Sequence, residues 1–178
     1  MVGNCLYRLL LSISSTFLLI SIFLVKSKLY LIKTDYNWAN NLILLSYFLI
    51  PVLLTWLSIY LSKFLSKDSF ISSEVNEIEY AGNSFLPSYL GYFFVALSIA
   101  DKDFLTLIVL YSILFIFVFL SKTFYFNPVF LIFGYHFYQI KTSTGLKVFL
   151  ITKKTFKKKE DVNSNIVYRI NDFTFIER

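Results

Sequence analysis

Charge is what this sequence has least of. Asp, Glu, Lys and Arg make up 16% of its 178 residues, against about 25% in an ordinary soluble domain. The charges are also segregated, so that long stretches carry none. Cys5 is the only cysteine, which excludes an intrachain disulfide and a thiolate metal cluster. It has two readings, a palmitoylation site near a membrane or simply a small apolar residue at a helix start. His136 is the only histidine, so a His-based metal site or a Ser-His-Asp triad has no supporting residues. With five glycines there is no phosphate-cradling loop, and neither kinase nor hydrolase motifs are present. The expectation is a protein that is not an enzyme, with no cofactor and no metal.

What the sequence has instead is apolar bulk: 57% hydrophobic and 20% aromatic residues. A soluble core cannot hide this much Phe, Leu and Ile, so lipid must cover part of the surface. Uncharged runs of about 20 residues match a hydrocarbon core of about 30 Å. They predict four transmembrane helices, at about 6–25, 42–61, 85–100 and 104–121. The first mimics a signal peptide but lacks a small-residue cleavage site and reads as an uncleaved span. Only Asp101-Lys102-Asp103 separates the last two, which implies an antiparallel hairpin with ordinary capping aspartates. Pro51, inside the second run, should free the carbonyl of Tyr47 and kink the helix. Residues 1–123 are thus expected to form a four-helix transmembrane domain. Within it no Asp, Glu, Lys or Arg sits at mid-depth, as pumps and transporters usually require. The polar content is hydroxyls such as Ser12, Ser14, Ser15, Thr16, Ser21, Thr55 and Ser58, which suit helix packing.

Thirteen of the 17 Lys and Arg fall on the side holding both termini and the 62–83 loop; four (Lys26, Lys28, Lys33, Lys102) fall on the other. The positive-inside rule then places both termini in the cytoplasm. Residues 123–140 are also uncharged, but a fifth crossing would follow with almost no turn, contains Asn127-Pro128 and Gly134, and would export the basic tail. Residues 124–137 read instead as an interfacial aromatic segment, with Phe124, Tyr125, Phe126, Tyr135, His136, Phe137 and Tyr138 as anchors at the headgroup boundary.

Residues 138–178 change pattern. Tyr138, Ile140 and Thr142 alternate with polar residues, Ser143-Thr144-Gly145 supplies a turn, and β-branched and aromatic residues follow. A second pair of strands is expected around 166–170 and 173–176. This cytoplasmic β-rich C-terminal module of about 40 residues is marginal by itself, so it should lean on the 62–83 loop, a sister subunit or another protein. Its basic cluster, Lys153, Lys154, Lys157, Lys158 and Lys159 around Phe156, has three readings: anionic lipid, a solvated loop, and, least favoured, nucleic acid. Glu74, Glu77 and Glu79 on the loop offer an acid–base contact with it, or are simply solvated.

The layout of four spans, then Asn127-Pro128, Gly134-Tyr135-His136-Phe137-Tyr138 and a Lys-rich β tail resembles the membrane subunit of the Kiwa anti-phage defence system. The resemblance covers the chain as an architecture and carries over no sensing residue. It implies a homo-oligomeric membrane sensor or scaffold in contact with lipid, which docks a cytoplasmic DNA-binding effector without itself binding nucleic acid. The alternatives are a pore-forming or channel-like effector and an accessory subunit of an envelope transporter.

Overall fold

The computed structural model describes residues 2–30, 32–70, 75–82, 86–121, 127–162 and 164–178. Helix α1 (Val2–Lys26) is the central rod. Against it pack α3 (Leu49–Leu61), which continues α2 (Asn37–Ser46) after a break, and the hairpin of α4 (Leu86–Ser98) and α5 (Phe104–Leu120). Pro51 explains the break. It has no N–H for the carbonyl of Tyr47, and that oxygen accepts from Ser21 Oγ on α1 at 3.1 Å instead. The two cations of α1 cap its neighbours. Lys26 Nζ donates to the Leu97 and Ile99 carbonyls at the end of α4 and pairs with Asp101 at 3.8 Å. At the opposite end, Arg8 donates to the Phe119 carbonyl in the last turn of α5. Asp103 caps α5 through Thr106 N–H at 3.1 Å.

A six-stranded sheet sits at the Arg8 end of the helices. It contains β1 (Lys67–Phe70), β2 (Val75–Tyr80), β3 (His136–Thr142), β4 (Lys147–Thr152), β5 (Ser164–Asn171) and β6 (Thr174–Ile176), in the order β1-β5-β6-β4-β3-β2. All pairings are antiparallel except β4 with β6. Gly145, at φ 84°, makes the turn between β3 and β4. Period-2 alternation gives the sheet two apolar faces. Phe137, Ile151, Ile170 and Ile176 face the helix ends, where they meet Tyr7, Leu11, Tyr89 and Phe130 of the short helix α6 (Val129–Ile132). Tyr138, Ile140, Leu150, Val167 and Phe175 face the other way and are covered by Phe156 and Val162 from the segment after β4.

This architecture corrects the expectation of four transmembrane helices followed by a C-terminal β module. Among the described residues, two helical stretches are long and apolar enough to cross a membrane: Cys5–Lys26 and the broken run Asn37–Phe64. The helices at 85–100 and 104–121 fall short. The 13 residues of α4 and 17 of α5 extend only about 20 and 26 Å against a core of about 30 Å. The sheet is not a C-terminal unit either, because β1 and β2 come from between α3 and α4 and form its two edges. The aromatics Phe124, Tyr125 and Phe126 lie outside the described residues, as does Glu74.

Candidate functional interface of the sheet

The segment after β4 carries the basic cluster, and each residue in it has a definite place. Phe156 is buried, with its ring 5.1 Å from that of Tyr138 and its N–H donating to Tyr138 Oη at 3.0 Å. It is the apolar plug that fastens the loop to the sheet. Beyond it, Asp161 Oδ2 accepts from the N–H groups of Lys157 and Lys158, both at 3.0 Å. Those two donors, with the nearby lysine charges, hold the Asp161 carboxyl below its ordinary pKa. The backbone is therefore pinned while the Lys157, Lys158 and Lys159 side chains stand in solvent. Lys154 is occupied differently: its Nζ pairs at 2.6 Å with the buried Glu177, which also accepts from Thr152 Oγ1 at 2.6 Å.

The acidic residues gather elsewhere. Glu77 pairs with Lys141 at 3.8 Å, and Glu79 lies opposite Gln139 across the β2–β3 register. With Lys147 they line a shallow polar cleft of about 120 Å³ on the solvent side. The loop acid that meets a tail lysine thus meets Lys141 rather than the 153–159 cluster.

Of the four candidate anchors, Tyr135, Phe137 and Tyr138 are buried, and His136 is half-buried beside Tyr80, 6.3 Å between ring centres. Tyr135 packs edge-on to Phe130. It also marks the junction between sheet and helices, where Lys153 Nζ lies 5.0 Å from its ring centre and the Arg178 charge is close enough to act on its hydroxyl. Burial raises the Tyr135 phenol above its ordinary pKa, with the Arg178 charge and hydrogen bond acting against it. Arg178 also acts on Tyr60, and Lys63 Nζ sits 3.7 Å above the Tyr60 ring. Sequence reading singled out neither Lys63 nor Arg178 for this junction. They are 115 positions apart, and only the tertiary fold joins them. Among the described residues, no three His, Cys, Asp or Glu side chains are placed to hold a metal ion.

The helices bury hydroxyls beside an apolar cluster of Leu19, Phe23, Ala96, Ile99 and Leu107, and turn many large apolar side chains outward. Ser12, Ser14, Ser15, Thr16, Ser21, Thr55 and Ser58 are buried, while leucines such as Leu53 (62% exposed) and Leu105 (75%) face outward. The hydroxyls bond inward: Ser14 and Thr55 approach to 2.8 Å, and Asn127 Nδ2 lies 2.7 Å from each.

The model of the family of anti-phage proteins named KwaA matches residues 7–176. The chain belongs to the KwaA family. Membership in that family gives it a role in anti-phage defence within the Kiwa system and suggests partnership with other Kiwa subunits. No curated protein and no solved structure matches the chain. The two long apolar helices of this KwaA-family chain are compatible with membrane association.

Proposed function

We propose that the chain is a non-catalytic, membrane-embedded scaffold of the anti-phage system, anchored through α1 and α2–α3, whose sheet docks a cytoplasmic effector. The carrying observation is the loop of Lys157, Lys158 and Lys159. It is fixed by the Phe156 plug and the Asp161 cap, so three exposed lysines are presented by a pinned backbone rather than by a solvated tail. Preorganised charge of this kind favours association and sets its specificity. The effector expected from the family resemblance is a cytoplasmic DNA-binding subunit, and assembly of the scaffold into homo-oligomers belongs to the same reading. An orientation with both termini and the sheet in the bacterial cytoplasm fits the cation asymmetry, since the sheet and Arg8 share one end of the helices and Lys26 and Lys102 the other. A pore reading gains nothing from the helices, whose hydroxyls are committed to Ser14–Thr55–Asn127 and Ser21–Tyr47 bonds.

The test is the triple substitution Lys157→Glu, Lys158→Glu, Lys159→Glu in the full chain, co-expressed with its genomic neighbours. Exposed positions leave folding intact, so the protein should stay in the membrane fraction. Co-purification of the effector in mild detergent should fall at least tenfold, about 1.4 kcal/mol, and phage protection should fall with it. Undiminished co-purification would sink the docking reading.

A further inference from the structure

A groove of about 300 Å³ opens between the two long apolar helices at their sheet end. Leu6, Tyr7 and Leu10 of α1 form one wall, and Leu57, Leu61 and Phe64 the other. Its volume lies at the lower end of small-ligand sites. Within this apolar lining one polar group stands out. The hydroxyl of Tyr7, a residue 5% exposed, is buried without a hydrogen-bond partner. Ser58 lies beside it but outside hydrogen-bonding geometry, and donates its own proton to the Thr55 carbonyl at 2.7 Å. A buried donor left unmade is costly, but this hydroxyl is sealed from the groove, so the slot itself is apolar.

The mouth of the groove is cationic. Phe64, 72% exposed, forms part of the lip, and Lys63 Nζ stands 4.9 Å from its ring centre. Lys63 Nζ stands 3.7 Å above the Tyr60 ring and Lys153 Nζ 5.0 Å from the Tyr135 ring centre, and the Arg178 charge is felt by both phenols. Three cations from three distant parts of the chain thus converge on two tyrosines at one level of the molecule. The neighbouring carboxylate, Glu177, does not neutralise them, because it is held by Lys154 and Thr152. An apolar slot and a cationic rim form the complement of one kind of molecule.

We infer that the groove between α1 and α3 binds an anionic phospholipid, with an acyl chain against Leu10, Leu57 and Leu61 and the phosphate among Lys63, Lys153 and Arg178. The site rests on the membrane reading of the two long helices but not on effector docking. It is separate from the Lys157, Lys158 and Lys159 surface, so the membrane lipid and the effector would occupy different faces of the sheet region.

Native mass spectrometry of the full chain in detergent, supplemented with phosphatidylglycerol or phosphatidylcholine of matched acyl chains, tests this. One retained phosphatidylglycerol per chain is expected, in clear excess over phosphatidylcholine. Lys63→Gln and Arg178→Gln should each reduce that preference about fivefold, as expected for one cation at a lipid surface. Leu61→Trp and Leu57→Trp should fill the slot and abolish retention. Leu57 is part-exposed, so its variant folds even if the Leu61 variant does not, as thermal melting will report. Equal retention of both lipids, or retention undisturbed in Leu57→Trp, overturns the site. A change in oligomeric mass in Leu57→Trp with lipid retention intact would instead make the groove a contact between copies, and overturn it equally. Alkaline carbonate extraction of the wild-type chain from membranes would fell the membrane reading and this site together, while loss of effector binding alone would touch neither.

Discussion

The helical half and the sheet half of this chain differ in what they leave outside: the helices bury Leu19, Phe23 and Leu107 beside their hydroxyls yet expose many large apolar side chains. In the helices the hydroxyls of Ser12, Ser14, Thr16, Thr55 and Ser58 are inside, and leucines and aromatics such as Leu53, Trp56, Leu105 and Phe117 are outside. In the sheet Ile140, Leu150, Val167 and Ile170 are inside, and the lysines are outside. Burying apolar area stabilises a fold only where the alternative is water. Where the surroundings are themselves apolar, packing and interhelical hydrogen bonds must hold helices together, and small hydroxyl residues serve both. On the proposed membrane reading one chain follows two rules of burial, and the change of rule falls at the junction marked by Tyr135, Lys63 and Arg178. The halves are nevertheless one structure, since Tyr7 and Leu11 of α1 share a core with Phe137, Ile151 and Ile176.

The sharpest break comes from cutting the same kind of side chain in each half. Leu150 is fully buried between the sheet and the Phe156 plug, so Leu150→Ala should cost about 2–5 kcal/mol, read as a lowered urea midpoint. Leu53 is 62% exposed near the middle of the α2–α3 run. In water a substitution there would fall within about ±0.5 kcal/mol. Facing lipid, Leu53→Asp should cost about 2.5–3.5 kcal/mol of insertion, seen as loss of the chain from the membrane fraction. A neutral Leu53→Asp would remove the distinction between the halves. Smaller is Ser14→Ala, which deletes the bonds to Thr55 and Asn127. Interhelical hydrogen bonds in membrane proteins average about 0.6 kcal/mol, so a small shift in thermal midpoint is expected, well below that of Leu150→Ala.

How far this was legible depends on how local each signal is. The β3–β4 hairpin could be read from Tyr138-Gln139-Ile140-Lys141-Thr142 and the Ser143-Thr144-Gly145 turn, because alternation and turn chemistry lie within a few residues. The family was legible from the layout of aromatic and basic segments. The helix count was not. Apolar run length overstates helix length where the chain must turn: α4 ends at Ser98, where Lys26 takes its terminal carbonyls, three residues short of the first charge. Strands β1 and β2 were hidden for another reason. Lys67-Asp68-Ser69-Phe70 has no apolar alternation, and a bulge between Val75 and Glu77 interrupts that of β2. Their partners lie 58 or more residues away, so these two strands exist only through distant pairings. Within the candidate interface, Phe156 and its lysines were visible as a cluster, but nothing local separates the plug from the presented charges.

The smallest expected effect discriminates the halves by pH. Asp68 on edge strand β1 receives Arg169 Nη2 at 2.6 Å and the Ser69 N–H at 3.0 Å. Partial burial acts to raise its pKa, but the Arg169 hydrogen bond, the Ser69 N–H and the Arg169 charge together outweigh it and hold the carboxyl below its ordinary value. A depressed carboxyl contributes stability above its unfolded pKa of about 3.9 and loses it as pH falls through the lower, folded value. Both partners are partly exposed, so the contribution is under about 1 kcal/mol. Acidification from pH 5 to pH 2 should therefore weaken the β1–β5 edge, where Arg169 N–H also bonds the Ser66 carbonyl. The long helices α1 and α2–α3 carry no carboxylate to titrate. Circular dichroism should show strand signal lost before helix signal, with Asp68→Asn flattening the early phase because its side chain no longer titrates. Helix signal falling first, or an Asp68→Asn chain with an unchanged acid profile, would show that the sheet edge is not where acid acts, and that the two halves share one electrostatic stability rather than differing in it.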